Sequence, residues 1–216
     1  MRDRLAATPD GPLPALHTGP HAAYFAVERP GSDPWCLGVV GTQAAAVPNA
    51  LRIAFRDLRS LDLGATHVLD GTLQLGSIRI RIGRLIDVQV PRRPITVPAS
   101  DPAPLIARIG LGEGLTPYAD DVLCGWLAIQ RAAGVATPEV DQEVRAAVAR
   151  TTLLSATLLD CALHGEVLPE FAAYVASLGT PDQPEREAAL AAVGESSGEG
   201  LLAGARQALG VETEAA

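Results

Sequence analysis

Residues 109–125 read IGLGEGLTPYADDVLCG, and the chemistry open to this chain is concentrated there. Gly110, Gly112 and Gly114 alternate with other residues immediately before a helical segment that opens at Pro117. Glycine is costly in an ordered chain unless backbone freedom or a close approach is needed. Such a turn presents several backbone N–H groups beside a helix N-terminus, an arrangement that wraps a phosphate or carboxylate. Thr116 adds a hydroxyl to that set. The segment is not a dinucleotide fingerprint, because no strand leads in and no βαβ unit surrounds it. It is not a P-loop either, because the chain has no lysine.

Asp120 and Asp121 follow in the first turns of the same helix, where the positive helix end stabilises carboxylates. Adjacent helix positions point about 100° apart, so the two cannot face one ligand squarely. Two carboxylates beside an anion repel it unless a cation such as Mg²⁺ intervenes. Asp120 and Asp121 are therefore candidate catalytic groups, and the only candidate metal ligands. Alternatively, one aspartate bonds the amides of the Gly-rich turn and only shapes it.

Three further sets of polar residues recur on the helices. In TTLLSATLLDCALHGE, Thr152 and Ser155 are candidates to face the Gly-rich turn, although such hydroxyls often bond preceding helical carbonyls. Asp160 and His164, four apart, have the spacing of an acid–base pair, or His164 is an ordinary helix C-terminal residue. Val193–Gly200 opens the last helix, with Ser197 as its expected N-cap and Ser196 and Ser197 as a possible second anion nest. No serine lies in a G-x-S-x-G elbow. Cys36, Cys124 and Cys161 form no metal-ligand grouping with the four histidines and read as buried free thiols.

The elements that must position these residues fall into two halves. Residues 1–100 carry 11 arginines against 8 acids, and residues 101–216 carry 6 against 17. The expected domains are 1–100, strand-rich and ending in a Pro-rich linker, and 101–216, helical. Strands are expected at Ala22–Glu28, Trp35–Val40, Thr66–Asp70, Thr72–Gly83 and Leu85–Val90. In Thr72–Gly83, Ile78, Ile80 and Ile82 alternate with Arg79 and Arg81 in the period of a half-buried strand. Five prolines between Pro91 and Pro104 exclude regular structure there. Helices are expected at Pro117–Ala133, Pro138 to about Leu163, Pro169–Leu178, Pro184–Val193 and Ser197–Leu209, with Thr116 and Thr137 as N-caps. The fold class is α+β: an N-terminal antiparallel β-sheet or small barrel-like domain, then a C-terminal α-helical bundle.

All 17 basic residues are arginines, which excludes lysine Schiff-base chemistry, and the net charge of −8 argues against nucleic acid or anionic membrane partners. The N-terminal residues include no apolar signal core, and no stretch is apolar and long enough to span a bilayer, so a cytoplasmic protein is expected. Hydrophobic residues at 48% favour a homo-oligomer.

In three features, the chain resembles the DUF2877 family, which includes the AllH-type subunit of oxamate carbamoyltransferase. The family pattern G-x-G-x-G-x-T-P-S-G-D-D-x-x-x-G is matched by Gly110, Gly112, Gly114, Thr116, Pro117, Asp120, Asp121 and Gly125. A T-x-x-S helix leading to a glycine is matched by Thr152, Ser155 and Gly165, and a Ser-Gly turn before a closing helix by Ser196, Ser197, Gly198 and Gly204. The chain departs from the pattern at Tyr118 and Ala119, where the family has Ser-Gly. The resemblance implies a subunit acting on small carboxylate or phosphate-bearing metabolites by carbamoyl transfer, with other subunits of such a complex as partners. A non-catalytic anion-binding subunit and a metal-assisted hydrolase are the alternatives.

Overall fold

The computed structural model describes residues 2–211. The chain divides into two compact units, Met1–Asp87 and Val88–Ala216.

Among its described residues, the first unit contains the short helix α1 (Arg2–Ala6) and eight strands: β1 (Gly11–Pro12), β2 (Ala15–Thr18), β3 (Ala22–Arg29), β4 (Ser32–Val40), β5 (Ala50–Arg52), β6 (Thr66–Leu69), β7 (Thr72–Leu75) and β8 (Ile78–Arg79). They form two four-stranded sheets, ordered β2-β3-β4-β5 and β1-β6-β7-β8. Every pairing is antiparallel except β4 with β5. Neither sheet closes into a barrel, so the open-sheet expectation holds. Alternating apolar residues such as Phe25 and Val27 of β3 and Leu73 and Leu75 of β7 supply the core, with Leu37, Leu58 and Val68.

Two strand expectations are overturned. Thr72–Gly83 is not one strand: Gly76, at φ +58°, reverses the chain and produces the β7–β8 hairpin. Ile78 and Ile82 are about two-fifths exposed, at 39% and 40%. A period of two records which side chains share a face, but not whether another element covers that face. Leu85–Val90 is likewise no strand and makes a single bridge, Gln89 with Glu166.

The second unit holds seven helices among the described residues: α2 (Ala103–Ala107), α3 (Tyr118–Ala133), α4 (Pro138–Ala147), α5 (Leu153–Leu163), α6 (Pro169–Ser177), α7 (Gln183–Ala191) and α8 (Ser197–Leu209). Proline stands in the first turn of α4, α6 and α7, where its missing N–H leaves no bond unmade. The chain has no regular element from Pro91 to Pro102, although Val90, Ile95 and Val97 pack on the helical core. None of the described helices is long and apolar enough to cross a membrane.

Helix α3 is the axis of this unit, buried on nearly every side from Ala119 to Gln130. It lies unusually close to α8. A Cβ on Gly125 would come within 2.0 Å of the Leu201 carbonyl oxygen, and one on Gly204 within 1.8 Å of the Val122 carbonyl oxygen. Only glycine permits that separation, and the contact sets the start of α8 beside the start of α3.

The long helix expected from Pro138 to about Leu163 is instead two helices. A 3-10 turn at Val148–Arg150 ends the first, and Thr151 is extended. Thr152 then caps α5, its hydroxyl accepting the Ser155 N–H at 3.1 Å. Threonine hydroxyls that find cap and tertiary partners compete with continuation of the helix. Apolar spacing does not register that competition.

Candidate functional site

The N-termini of α3, α5 and α8 converge, and the residues singled out in the sequence gather there. Asp120 is fully buried. Its Oδ1 accepts the Gly110 N–H at 2.7 Å, and its Oδ2 accepts the hydroxyls of Ser155, at 2.6 Å, and Thr151. The carboxylate thus joins the Gly-rich turn to the first turn of α5, and hydroxyl and amide donors replace the water its charge has lost. The turn is tethered again at its far end, where the Thr152 hydroxyl donates to the Leu115 carbonyl at 2.6 Å.

Between those tethers the turn is exposed from Leu111 to Leu115. Gly110, Gly112 and Gly114 have φ of +86°, +130° and +87°, while the residues between them have negative φ. Alternation of this kind curls successive N–H groups toward one side, the geometry of an anion nest. Among the described residues, no protein acceptor is recorded for the amides of residues 112–116. At Gly110 and Gly112 a side chain is barred twice over. Besides the positive φ, a Cβ would lie 2.3 Å from the Arg150 carbonyl oxygen or 2.6 Å from the Tyr118 nitrogen.

Asp121 is placed differently from its neighbour. It is 5% exposed, and its Oδ2 is buried without a hydrogen-bond partner among the described residues. Burial lifts its pKa from 3.8 to about 7, with Asp120 nearby adding to the rise and the hydroxyls of Ser197 and Thr116 opposing it. Those two hydroxyls are 3.0 Å apart, bridging the Gly-rich turn to α8. Asp121 Cβ also lies 2.8 Å from the position a Gly200 Cβ would take, so this carboxylate sits in the α3–α8 contact.

The N-cap expectations need correction. The cap position of α3 is Pro117, not Thr116, and that of α8 is Ser196, not Ser197. Neither cap residue supplies a side-chain bond, and Thr137 occupies the α4 cap position with its hydroxyl turned to Asp141 instead. Thr116 and Ser197 spend their hydroxyls on each other and on Asp121. Ser196 contributes its carbonyl to the Gly200 N–H, and its hydroxyl has no recorded part in the cluster.

His164 lies at the other end of α5, nine residues from Ser155 and thus about 13 Å along the axis. Its Nδ1 is 2.7 Å from the Asp160 carbonyl oxygen and 3.6 Å from the Asp160 carboxylate, so the two side chains do meet, at the helix C-cap and away from the cluster. The three cysteines are buried free thiols, as expected. No three His, Cys, Asp or Glu side chains are grouped for a metal ion among the described residues.

Thr151 is a site residue that the sequence does not single out: it precedes α5 in extended backbone, four residues before Ser155. Nor does the sequence single out Arg108, two residues before Gly110. Arg108 and Tyr118 line a groove of ≈ 530 Å³ formed with α3 and α8.

No curated protein and no solved structure matches the chain. Its turn, its three converging helix starts and its α3–α8 contact nevertheless lie together inside one matched segment: residues 108–209 match the model of the family described as oxamate carbamoyltransferase subunit AllH.

Proposed function

We propose that this chain acts as a carbamoyltransferase subunit that holds a small phosphate-bearing carbamoyl donor on its Gly-rich turn. The observation that carries this reading is the division of labour between turn and carboxylates. Asp120 is turned inward and its oxygens are occupied by three protein donors, while the turn keeps unspent amides on its exposed side. The family description supports the class of reaction and the existence of other subunits.

In the proposed reaction, the acceptor nitrogen attacks the carbamoyl carbon. A C–N bond forms, the C–O bond to phosphate breaks, and phosphate leaves with the electron pair. The nest amides stabilise the charge that gathers on phosphate. Asp121 takes the proton released from nitrogen, through the Thr116 and Ser197 hydroxyls. A carboxylate with a pKa near 7 is matched to that task at neutral pH. Asp120 is a positioning residue. If Mg²⁺ accompanies the donor, Asp121 is the ligand of the pair, because only it retains an unspent oxygen.

Calorimetric titration with carbamoyl phosphate, with and without Mg²⁺, tests the reading. The expected result is saturable binding that Gly114→Ala weakens at least about tenfold, because φ +87° strains alanine although no atom lies within 4 Å of its Cβ. Asp121→Asn should retain binding and lose carbamoyl transfer to oxamate when the other subunits are added. Absence of carbamoyl phosphate binding, or full affinity in Gly114→Ala, defeats the proposal. Binding without transfer to oxamate or to larger amino- or amido-carboxylate acceptors in the complete assembly would leave an anion-binding subunit that does no chemistry.

A further inference from the structure

The groove beside the turn has a chemistry of its own. It is lined by the apolar Leu105, Val122 and Ala203, by Tyr118 and by the polar Arg108 and Gln207. Arg108 is exposed, and no carboxylate partner is recorded for it among the described residues. The Tyr118 side chain is 38% exposed, and its backbone nitrogen adjoins Gly112 of the nest. Tyr118 therefore adjoins the turn through its backbone nitrogen and α8 through Cδ2 of its ring, beside Gly200, and it lines the groove. At ≈ 530 Å³ the groove falls within the range of small-molecule sites, and a two-carbon acid would leave most of it empty.

We infer that this groove is the acceptor subsite, and that its ligand is a monocarboxylate carrying an apolar or aromatic body larger than that of oxamate. The assignment of the groove as an acceptor subsite rests on the transferase reading above, whereas the ligand class rests on the groove alone. Arg108 takes the carboxylate as a charge-assisted hydrogen-bonded pair. The ring of Tyr118 and the side chains of Leu105 and Val122 cover the apolar body, and Gln207 offers an amide to a polar substituent. Tyr118 stands where the related pattern has serine, so it is the residue through which this chain would differ in acceptor. A serine there would remove the ring that covers the body.

Titration of the full chain, followed by calorimetry and by amide NMR shifts, tests this with three probes: 3-phenylpropionate, oxamate and inorganic phosphate. The expected result is that 3-phenylpropionate binds more tightly than oxamate, shifting residues 105–108 and 118–122. Arg108→Gln should weaken 3-phenylpropionate about tenfold, and Tyr118→Ser should narrow its advantage over oxamate, with phosphate binding unchanged in both. Both substitutions are at exposed positions, and unchanged thermal melting confirms the fold of each variant. No saturable 3-phenylpropionate binding up to about 10 mM, equal affinity for oxamate, or full affinity in Arg108→Gln would each overturn the inference. Phosphate distinguishes the two proposals. If 3-phenylpropionate binds and phosphate does not, the groove stands and the anion nest falls. If only phosphate binds, the nest stands and the groove falls.

Discussion

Among the described residues, the strand-rich unit buries only neutral polar side chains, whereas the helical unit buries two carboxylates besides such hydroxyls as Thr157 and Ser177. In the first, Thr8, Asn49 and Thr66 are buried, and each serves a single backbone carbonyl: Arg4, Cys36 and Leu63 respectively. These are local repairs of main-chain groups that the fold would otherwise leave unpaired. In the helical unit two adjacent carboxylates are buried at the meeting point of three helix starts. One is saturated with donors and the other is left with an unpartnered oxygen. Burying a charge is far more costly than burying an amide or hydroxyl. The contrast locates the part of the molecule organised around something other than its own stability.

The contrast breaks most severely if α3 and α8 are forced apart. Gly204→Val places a side chain against the Val122 carbonyl, and the expected loss is more than ~3 kcal/mol in urea unfolding. Gly83→Ala in the strand-rich unit, where no atom lies within 4 Å of the new Cβ, should change stability by less than ~0.5 kcal/mol. Similar losses at the two positions would show that the helix contact is looser than described.

A second comparison sets Asp120→Ala against Asn49→Ala. The first strands the Gly110 amide and two hydroxyls together and should cost about 3 kcal/mol. The second strands one carbonyl and should cost about 1 kcal/mol. Denaturant midpoints of the two variants at one pH decide the point. If Asn49→Ala is the costlier change, the linked network around Asp120 is worth no more than a local repair.

The smallest expected effect is a pH dependence carried by Asp121. Its folded pKa, near 7, is above its ordinary 3.8, so the folded state holds the proton more tightly than the unfolded state. The associated stability is fully present below pH 3.8 and is lost as pH rises toward and through 7. Asp121→Asn lacks this term. Between pH 5.5 and 6.5 wild type should therefore lose about 1 kcal/mol relative to the variant, read from paired urea unfolding curves. Parallel pH profiles would place Asp121 in contact with water and remove its distinction from an ordinary surface carboxylate.

Some of this was legible in the chain and some was not. The turn and α3 could be read because the causes are local: alternating glycines, a proline at the helix entrance, an apolar run and Gly134 as a stop. The expected strands at Ala22–Glu28 and Trp35–Val40 were found for the same reason. The exposed face of Ile78 and Ile82 was not legible, because coverage depends on what packs above. Gly125 and Gly204 belong to the matched motifs yet serve helix approach rather than ligand contact. Motif membership alone therefore does not separate packing residues from site residues.

Composition and short-range pattern by themselves determined the two structural regimes, the Gly-rich turn and the presence of adjacent carboxylates at a helix start. Only the tertiary structure decided which carboxylate is which. Asp120 meets Thr151 across 31 residues and Ser155 across 35, and Thr116 meets Ser197 across 81. The raised pKa of Asp121 follows from exclusion of water, against which the distant Ser197 hydroxyl acts, while the hydroxyls that meet Asp120 tie its oxygens into the fold. Two neighbouring aspartates that are identical in sequence thereby acquire opposite characters: one is held as a structural clamp, and the other is poised to exchange a proton.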